Sequence, residues 1–373
     1  MPYTKNFYIY ALFAVLIIYT AYPFLWTRYG LGVTTIVQYM LLGLVLLGLL
    51  LYVAKPPKYK NSWINWLLFI WITQALAFYI GNSSATTQFK ESTFVLLTAA
   101  PILSLQYNPK HIRLLLIVMA LVSVAMYFVT MSMMRLADEN SYGGGYQILV
   151  ALPVLLYFFR NKSLRTQLTV TVVLFTLVLM SMKRSDIIAC ILVILVYYYV
   201  KLKSLSKMDY RIILVIIITA IIGYVVFRYL LANNEIFAWR FEQTINGDSS
   251  DRDNIYSNLW NSFINAPLNI QLFGGGFDAT LKIGEARAHS DILEVLSCEG
   301  IVGLTFYLSA FISLCKQMCQ RIDISEKAAL ASILTIWLVK MTFSMFIYSQ
   351  PTIILFVLTG YILNNRISRQ YEY

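Results

Sequence analysis

Charged residues are scarce in this sequence. Asp, Glu, Lys and Arg make up 13% of its 373 residues, whereas 59% of the residues are hydrophobic. Soluble domains carry about twice that share of charge. Apolar runs of roughly 20 residues, enough to cross the hydrocarbon core of a bilayer, recur from Phe7 to Leu363 with short polar breaks between them. The sequence therefore excludes a soluble catalytic domain of ordinary size and predicts a membrane protein throughout.

Histidine and cysteine are also rare, with two and four residues respectively. The cysteines lie in or beside apolar runs and lack the CxxC spacing that is typical of structural zinc sites. A nucleotide-binding motif is missing as well. We therefore expect no disulfide framework, no metal and no other cofactor. The cysteines are Cys190, Cys298, Cys315 and Cys319.

Acidic residues are outnumbered by basic ones, 18 against 29, which gives a formal net charge of +11. The basic residues form short clusters in the breaks between apolar runs rather than a stripe along one face. Cytoplasmic loops of membrane proteins are enriched in Lys and Arg, so this distribution indicates topology, and we expect no nucleic-acid partner. Placing the more basic breaks in the cytoplasm puts both termini inside and residues 232–288 outside.

The apolar runs predict an all-α polytopic membrane protein with about 12 transmembrane helices and one large periplasmic loop. The fourth and sixth runs are the shortest, which is also typical of kinked or re-entrant segments. The predicted spans cover residues 7–25, 31–53, 63–80, 92–106, 111–133, 145–159, 166–182, 186–202, 210–231, 298–319, 327–347 and 351–364.

The one long polar break divides the chain into three parts. Residues 1–231 carry predicted transmembrane helices 1–9, and residues 232–288 form the periplasmic loop. Residues 289–373 carry helices 10–12 and a cytoplasmic tail. Because the remaining breaks are short, any chemistry is expected at the loop and at the helix ends beside it.

Part of the loop has the pattern of an amphipathic helix. Ser249 or Ser250 is predicted to cap it, and Pro267 is predicted to end it. Such a helix is expected to lie on the membrane surface. Its apolar stripe at helical spacing consists of Ile255, Leu259, Trp260, Phe263 and Ile264.

The end of the loop combines a glycine turn with a helix start. Residues 273–277 read F-G-G-G-F, which predicts a tight and permissive turn. Ser290 with Asp291 is predicted to cap a helix that continues into the tenth span. His289 is therefore expected at a helix start, beside the bilayer.

Residues 288–304 read A-H-S-D-I-L-E-V-L-S-C-E-G-I-V-G-L. This stretch resembles the H-N-x-x-L-x-x-x-x-E-x-G signature of the O-antigen polymerase and ligase superfamily, with Ser290 where Asn is usual. Three upstream elements occur in the family's order: residues 181–186 resemble its S-x-S-R-G helix start, Asp251-Arg252 followed by Trp260 resembles its G-R-x-x-x-W element, and residues 273–277 resemble its G-x-G-F turn. The resemblance covers roughly residues 140–310.

The resemblance implies a GT-C-like fold and a glycosyltransferase in the bacterial inner membrane, with a periplasmic active site. It implies that a growing glycan is moved from undecaprenyl diphosphate onto the terminal sugar of another lipid-linked repeat unit. The implied partners are the lipid-linked donor and acceptor and the membrane lipids, and a polysaccharide chain-length regulator is a further candidate. Repeat units of O-antigen or a related surface polysaccharide would be polymerised.

The residue types suit this chemistry. A leaving diphosphate carries concentrated negative charge, which Arg binds bidentately, so Arg184 and Arg252 are predicted to hold it. His289 is the predicted catalytic base, because an imidazole accepts a proton near neutral pH. Arg287 and Lys340 are further candidates for the diphosphate. The acidic residues predicted to support the site are Asp291, Glu294 and Glu299.

Other interpretations of these residues stay open at this stage. A headgroup anchor would also explain Arg184, beside Lys183, and a solvated loop charge would explain Arg252. His289 is also typical of a helix start without chemistry. Lys340 lies in the eleventh span, near enough to its outer end for the long side chain to reach the interface.

Two alternative functions also stay open. An O-antigen ligase would use the same donor and fold, with a lipid A core acceptor in place of a second repeat unit. A polysaccharide flippase or other transporter would also have many spans, but it is expected to show paired repeats and charges near the bilayer midplane. We identify neither feature in the sequence.

Overall fold

The structure is a computed structural model that describes residues 2–54, 62–81, 86–104, 107–136, 144–203, 210–245, 252–284, 287–321 and 323–369. These residues form helices joined by turns, without a strand among them, which confirms the all-α class. The helices before the predicted loop are α1 (Pro2–Thr20), α2 (Tyr22–Ala54), α3 (Ser62–Gly81), α4 (Thr86–Leu97), α5 (Ala99–Ser104), α6 (Pro109–Leu136), α7 (Gly145–Phe158), α8 (Leu164–Met180), α9 (Arg184–Lys203) and α10 (Tyr210–Asn233).

Four short helices occupy the stretch predicted as a loop, and three longer ones follow it. The short helices are α11 (Glu235–Ile245), α12 (Arg252–Ile264), α13 (Leu268–Phe273) and α14 (Ala279–Gly284). The last three are α15 (Asp291–Cys319), α16 (Ile324–Phe343) and α17 (Ile353–Arg369), with a 3₁₀ turn at Gln350–Thr352 before α17.

Six helical segments of the described chain are long and apolar enough to cross a membrane. Shorter apolar helices occur at Phe7–Thr20, Gly145–Phe158, Arg165–Met180 and Gln350–Asn364. The helical membrane protein is therefore confirmed, while the count of twelve crossings and the periplasmic position of the loop stay predictions. The six segments are Gly32–Ala54, Ser62–Ile80, Pro109–Met133, Arg184–Lys203, Ile213–Asn233 and Asp291–Cys319.

Proline lies beside two of the helix breaks. The predicted break at residues 26–30 is present as a kink in α2, where Gly30 has φ 73° and ψ −170°. An additional break lies at Ala21, and Pro23 follows it in the first turn of α2, where its missing N–H costs nothing. The fourth predicted span, 92–106, begins earlier, at Thr86, and is broken at Thr98 into α4 and α5. Pro101 cannot donate to the carbonyl of the residue four positions earlier, so the continuous helix is interrupted.

α12 confirms the helix that the apolar stripe predicts in the loop. Leu259 is buried, whereas Trp260 and Ile264 are about half exposed. The helix ends at Ile264, before Pro267. Residues 249 and 250, the predicted caps, lie outside the described residues, and the position of α12 on a membrane surface stays a prediction.

A buried aromatic group joins α15 to α16 and to the turn after α16. The indole Nε1 of Trp337 donates to the Tyr307 hydroxyl over 2.7 Å, and this hydroxyl donates to the Asp291 carboxylate over 2.7 Å. The rings of Trp337 and Phe346 stack with centroids 5.0 Å apart. This packing fixes the start of α15, where the sequence places His289, against the end of α16.

Candidate active site

The glycine turn packs directly on a kink in α15. Gly300 interrupts that helix with φ 71° and ψ −166°. Because the helix is broken there, carbonyls just before the kink can accept hydrogen bonds from outside it: Gly275 N donates to Ser297 O over 2.9 Å and Gly276 N to Cys298 O over 3.1 Å. The turn between α13 and α14 is thereby fixed to α15.

Both sides of this contact require glycine. Gly274 has φ 79°, and a Cβ there would overlap the backbone of Cys298 and Glu299. A Cβ on Gly300 would lie 2.6 Å from Gly274 N. Two motifs that are separate in sequence therefore meet backbone to backbone, which only residues without a side chain allow.

Glu294 holds the turn that carries His289. Its carboxylate, which is fully buried, accepts a hydrogen bond from Ala288 N over 3.1 Å and another from the Thr280 hydroxyl over 3.1 Å. Arg287 lies beside it, with Nη1 3.8 Å from Oε1. His289 itself has φ 49°, a conformation that is uncommon for a residue with a side chain and persists only where neighbours enforce it.

Ser290 and Asp291 start α15, but in a different way from the one predicted. Ser290 occupies the N-cap position, yet its hydroxyl donates to Met341 O over 3.0 Å and caps no amide, so the predicted side-chain cap is wrong. The Asp291 carboxylate accepts from Phe346 N over 3.0 Å and Ile347 N over 3.1 Å. Because these amides donate to Asp291, they do not donate to carbonyls of α16. The helix therefore ends at Phe343 rather than at residue 347.

The third acidic residue also lies in the interior. Glu299 is buried and accepts hydrogen bonds from the Thr73 hydroxyl over 2.8 Å and the Tyr348 hydroxyl over 2.9 Å. Asp291, Glu294 and Glu299 thus connect α15 to other parts of the fold from within. This placement is compatible with the supporting role that the sequence predicts for them.

Three cations lie near enough to His289 for their charges to act on it, and we call them, together with His289, the cation cluster. They are Lys183, which precedes α9, Arg252, which begins α12, and Arg287, which precedes α15. Each lies close enough for its charge to act on the imidazole. The Tyr256 hydroxyl donates to the backbone carbonyl of His289 over 3.3 Å and adds a further contact from α12.

Loss of water and neighbouring positive charges lower the pKa of His289. Although the side chain is partly exposed, loss of water around the ring disfavours the imidazolium, and the charges of Arg252, Lys183 and Arg287 disfavour it further, so the pKa lies below its ordinary value. The ring is therefore neutral at neutral pH and has a free nitrogen that can accept a proton. The surrounding positive charge is at the same time suited to an anionic ligand.

The predicted diphosphate residues are not all equivalent in the structure. Arg252 Nη1 donates to Phe343 O, at the C-terminal end of α16, over 3.0 Å, where the helix dipole favours a cation. Arg252 and Arg287 both act on His289. Arg184 is the first residue of α9 and is half-buried beside Lys183, and its assignment to the diphosphate stays a prediction.

Lys340 lies in the interior, so the expectation that it reaches the interface is wrong. Its side chain is fully buried, and its ammonium pairs with Asp186. The ammonium also lies 4.3 Å from the centre of the Tyr146 ring. Gly145 permits this arrangement, because a Cβ there would lie 2.8 Å from Asp186 Oδ2. The Asp186 carboxylate on α9 therefore neutralises the ammonium within the interior.

Lys183 and Asp186 are not among the residues that the sequence predicts for the site. Both belong to the segment 181–186 that resembles the family's helix start, but that segment directs attention to its arginine. The sequence signal for Lys183 was its position beside Arg184 in a predicted outer break. For Asp186 the signal was a carboxylate next to an apolar run, where an unpaired charge is costly.

Comparison with known proteins supports the resemblance over the same region. A family model described as O-antigen ligase matches residues 169–308. The matched segment runs from α8 into α15 and contains the cation cluster. No curated protein matches the chain. Residues 169–308 are therefore similar to the O-antigen ligase family, which is consistent with the resemblance to the O-antigen polymerase and ligase superfamily.

Proposed function

We propose that this protein polymerises lipid-linked oligosaccharide repeat units of O-antigen or a related surface polysaccharide. The observation that supports the proposal most strongly is the convergence of Lys183, Arg252 and Arg287 on His289 within the matched domain. A group of cations near a neutral base matches a reaction in which an anionic group leaves while a hydroxyl loses its proton.

The reaction joins two lipid-linked glycans. The bond between the donor sugar and undecaprenyl diphosphate breaks as a hydroxyl of the acceptor's terminal sugar attacks, with inversion at the donor carbon. The diphosphate leaves as an anion, and Arg184, Arg252 and Arg287 would stabilise its charge. His289 would take the proton from the attacking hydroxyl. Neither a nucleotide sugar nor a metal ion is part of this scheme.

The main alternative is transfer of finished glycan to lipid A core, because the matched family is described as O-antigen ligase and the match does not distinguish the two activities. Glycans extracted from cells that lack the gene distinguish the two. We expect single capped units to accumulate in these cells, because polymerisation is lost. Accumulation of long, unattached polymer would instead identify a ligase.

The charge of Lys183 should determine where activity falls at low pH. The base works only when neutral, so activity is present above the pKa of His289 and is lost as the pH falls through it. Lys183→Met removes one cause of the lowered pKa and should move the acidic limb of the pH profile of kcat/KM to higher pH. Lys282→Met, an exposed lysine on α14, is the control and should leave the limb unchanged. An unmoved limb in both variants would contradict His289 as the titrating base.

The proposed orientation places α12 outside and the loop before α8 inside. We expect an impermeant thiol reagent to label Ser257→Cys in intact cells and to label Ser163→Cys only after permeabilisation, since both positions are exposed. Cys315 and Cys319 should first be replaced by Ser, because they are the partly or fully accessible native thiols. The reverse labelling pattern would overturn the orientation and the periplasmic placement of the active site.

A further inference from the structure

An apolar cleft of about 370 Å³ lies between α8, α9 and α10. Its volume is in the range of small-molecule sites. The wall from α9 includes Ile187, Ile191 and Leu195, and the wall from α10 includes Ala220. α8 contributes Phe175, which approaches α10 where Gly223 offers no side chain.

The cleft starts close to the cation cluster. α9 begins at Arg184, directly after Lys183, and Ile187 follows within one turn. At 1.5 Å per residue, the α9 wall extends from about 5 to about 17 Å along the helix from Arg184. Arg184–Lys203 is one of the segments that can cross the membrane, so this wall lies along the half of the span nearest the cluster.

We propose that the cleft binds the isoprenoid chain of the glycan donor, next to its diphosphate. The proposal rests on the proposed function, which places the diphosphate on the cation cluster. A polyprenyl diphosphate has one apolar chain joined directly to its charges, and this apolar cleft starts one turn from Lys183 of the cation cluster. Phospholipids carry two chains on a glycerol, which fits a single cleft beside the cluster less well.

The apolar walls of the cleft would let the protein recognise the isoprenoid chain of the donor in addition to its diphosphate. The cluster would hold any diphosphate, whereas the cleft adds affinity in proportion to the apolar surface it covers. Undecaprenyl diphosphate should therefore bind more tightly than inorganic diphosphate, and the difference should depend on free space between α9 and α10. Filling that space should reduce the advantage of the chain and leave recognition of the charges intact.

Two pairs of variants test this in the full-length protein in phospholipid nanodiscs. Ala220→Phe and Ile191→Trp fill the cleft from its two sides. Ile221→Phe and Ile188→Trp add the same bulk at exposed positions on the same helices that do not line the cleft. We expect each filling variant to weaken undecaprenyl diphosphate binding by about tenfold, the loss expected when roughly two methylene groups are expelled.

The same variants should keep the affinity for inorganic diphosphate, and both controls should bind undecaprenyl diphosphate like the wild type. Folding is checked by thermal unfolding. If one filling variant is unstable, the other filling variant is compared with the control on its own helix. Unchanged binding in both filling variants, or loss only of co-purified phospholipid, would overturn the cleft assignment while the proposed function stands. A wild-type protein that binds neither diphosphate would instead refute the proposed function.

Discussion

Replacing His289 by alanine is expected to lower the turnover rate by about two to four orders of magnitude, the range for a lost general base, while donor affinity stays close to that of the wild type. Loss of water around the imidazole and the charges of three nearby cations disfavour its protonated form. Removing the side chain therefore removes the proton acceptor and leaves the diphosphate-binding charges in place. The measurement is polymer formation from lipid-linked repeat units, beside donor binding by the same protein.

His111→Ala is the matched control, because it removes the other histidine of the chain. His111 lies at the start of α6 and contacts Tyr10 of α1. It is not part of the cation cluster. Its loss should leave turnover nearly unchanged. Normal turnover in His289→Ala would end the catalytic-base hypothesis and leave His289 as a helix-start residue.

Arg252→Lys gives the complementary result. It keeps the charge but loses the planar fork that binds a diphosphate bidentately, so donor binding should weaken. If His289→Ala and Arg252→Lys changed binding and turnover alike, the separation of base and anion site would be refuted. Unfolding curves of both variants show whether the fold is retained.

Lys340→Met is expected to destabilise the protein by about 3–5 kcal/mol, the cost of breaking a buried ion pair. Methionine fills much of the same space, but Asp186 would stay buried without its cation. Asp186 has little to compensate, because its Oδ2 lacks a hydrogen-bond partner among the described residues. Denaturant or thermal unfolding in detergent measures the change.

The double variant Asp186→Asn with Lys340→Met provides the control, since it removes both charges together. It should recover much of the stability that the single variant loses, because a buried charge is no longer left unpaired. A direct role of Lys340 at the diphosphate predicts the opposite pattern. In that case Lys340→Met would fold normally and fail to bind the donor, and the double variant would fail as well.

Much of this protein follows from local sequence. Apolar runs report burial in lipid or in the core wherever they occur, so the helical membrane protein could be predicted from hydropathy alone. The motif around His289 identified the family region, because its residues are adjacent in the chain. Leu259 in α12 was placed correctly for the same reason: helical spacing is a local property.

What the sequence could not determine depends on contacts between distant segments. Hydropathy places Lys340 near a helix end, but only the packing of α16 against α9 shows that Asp186 meets it in the interior. The charge of Lys183 acts on His289 because the starts of α9 and α15 converge in space, and no spacing along the chain reports that distance. Gly274 and Gly300 are likewise separate motifs until the fold brings their backbones together. A single sequence carries residue types and local periodicity, whereas charge pairing and backbone approach between helices are properties of the tertiary structure.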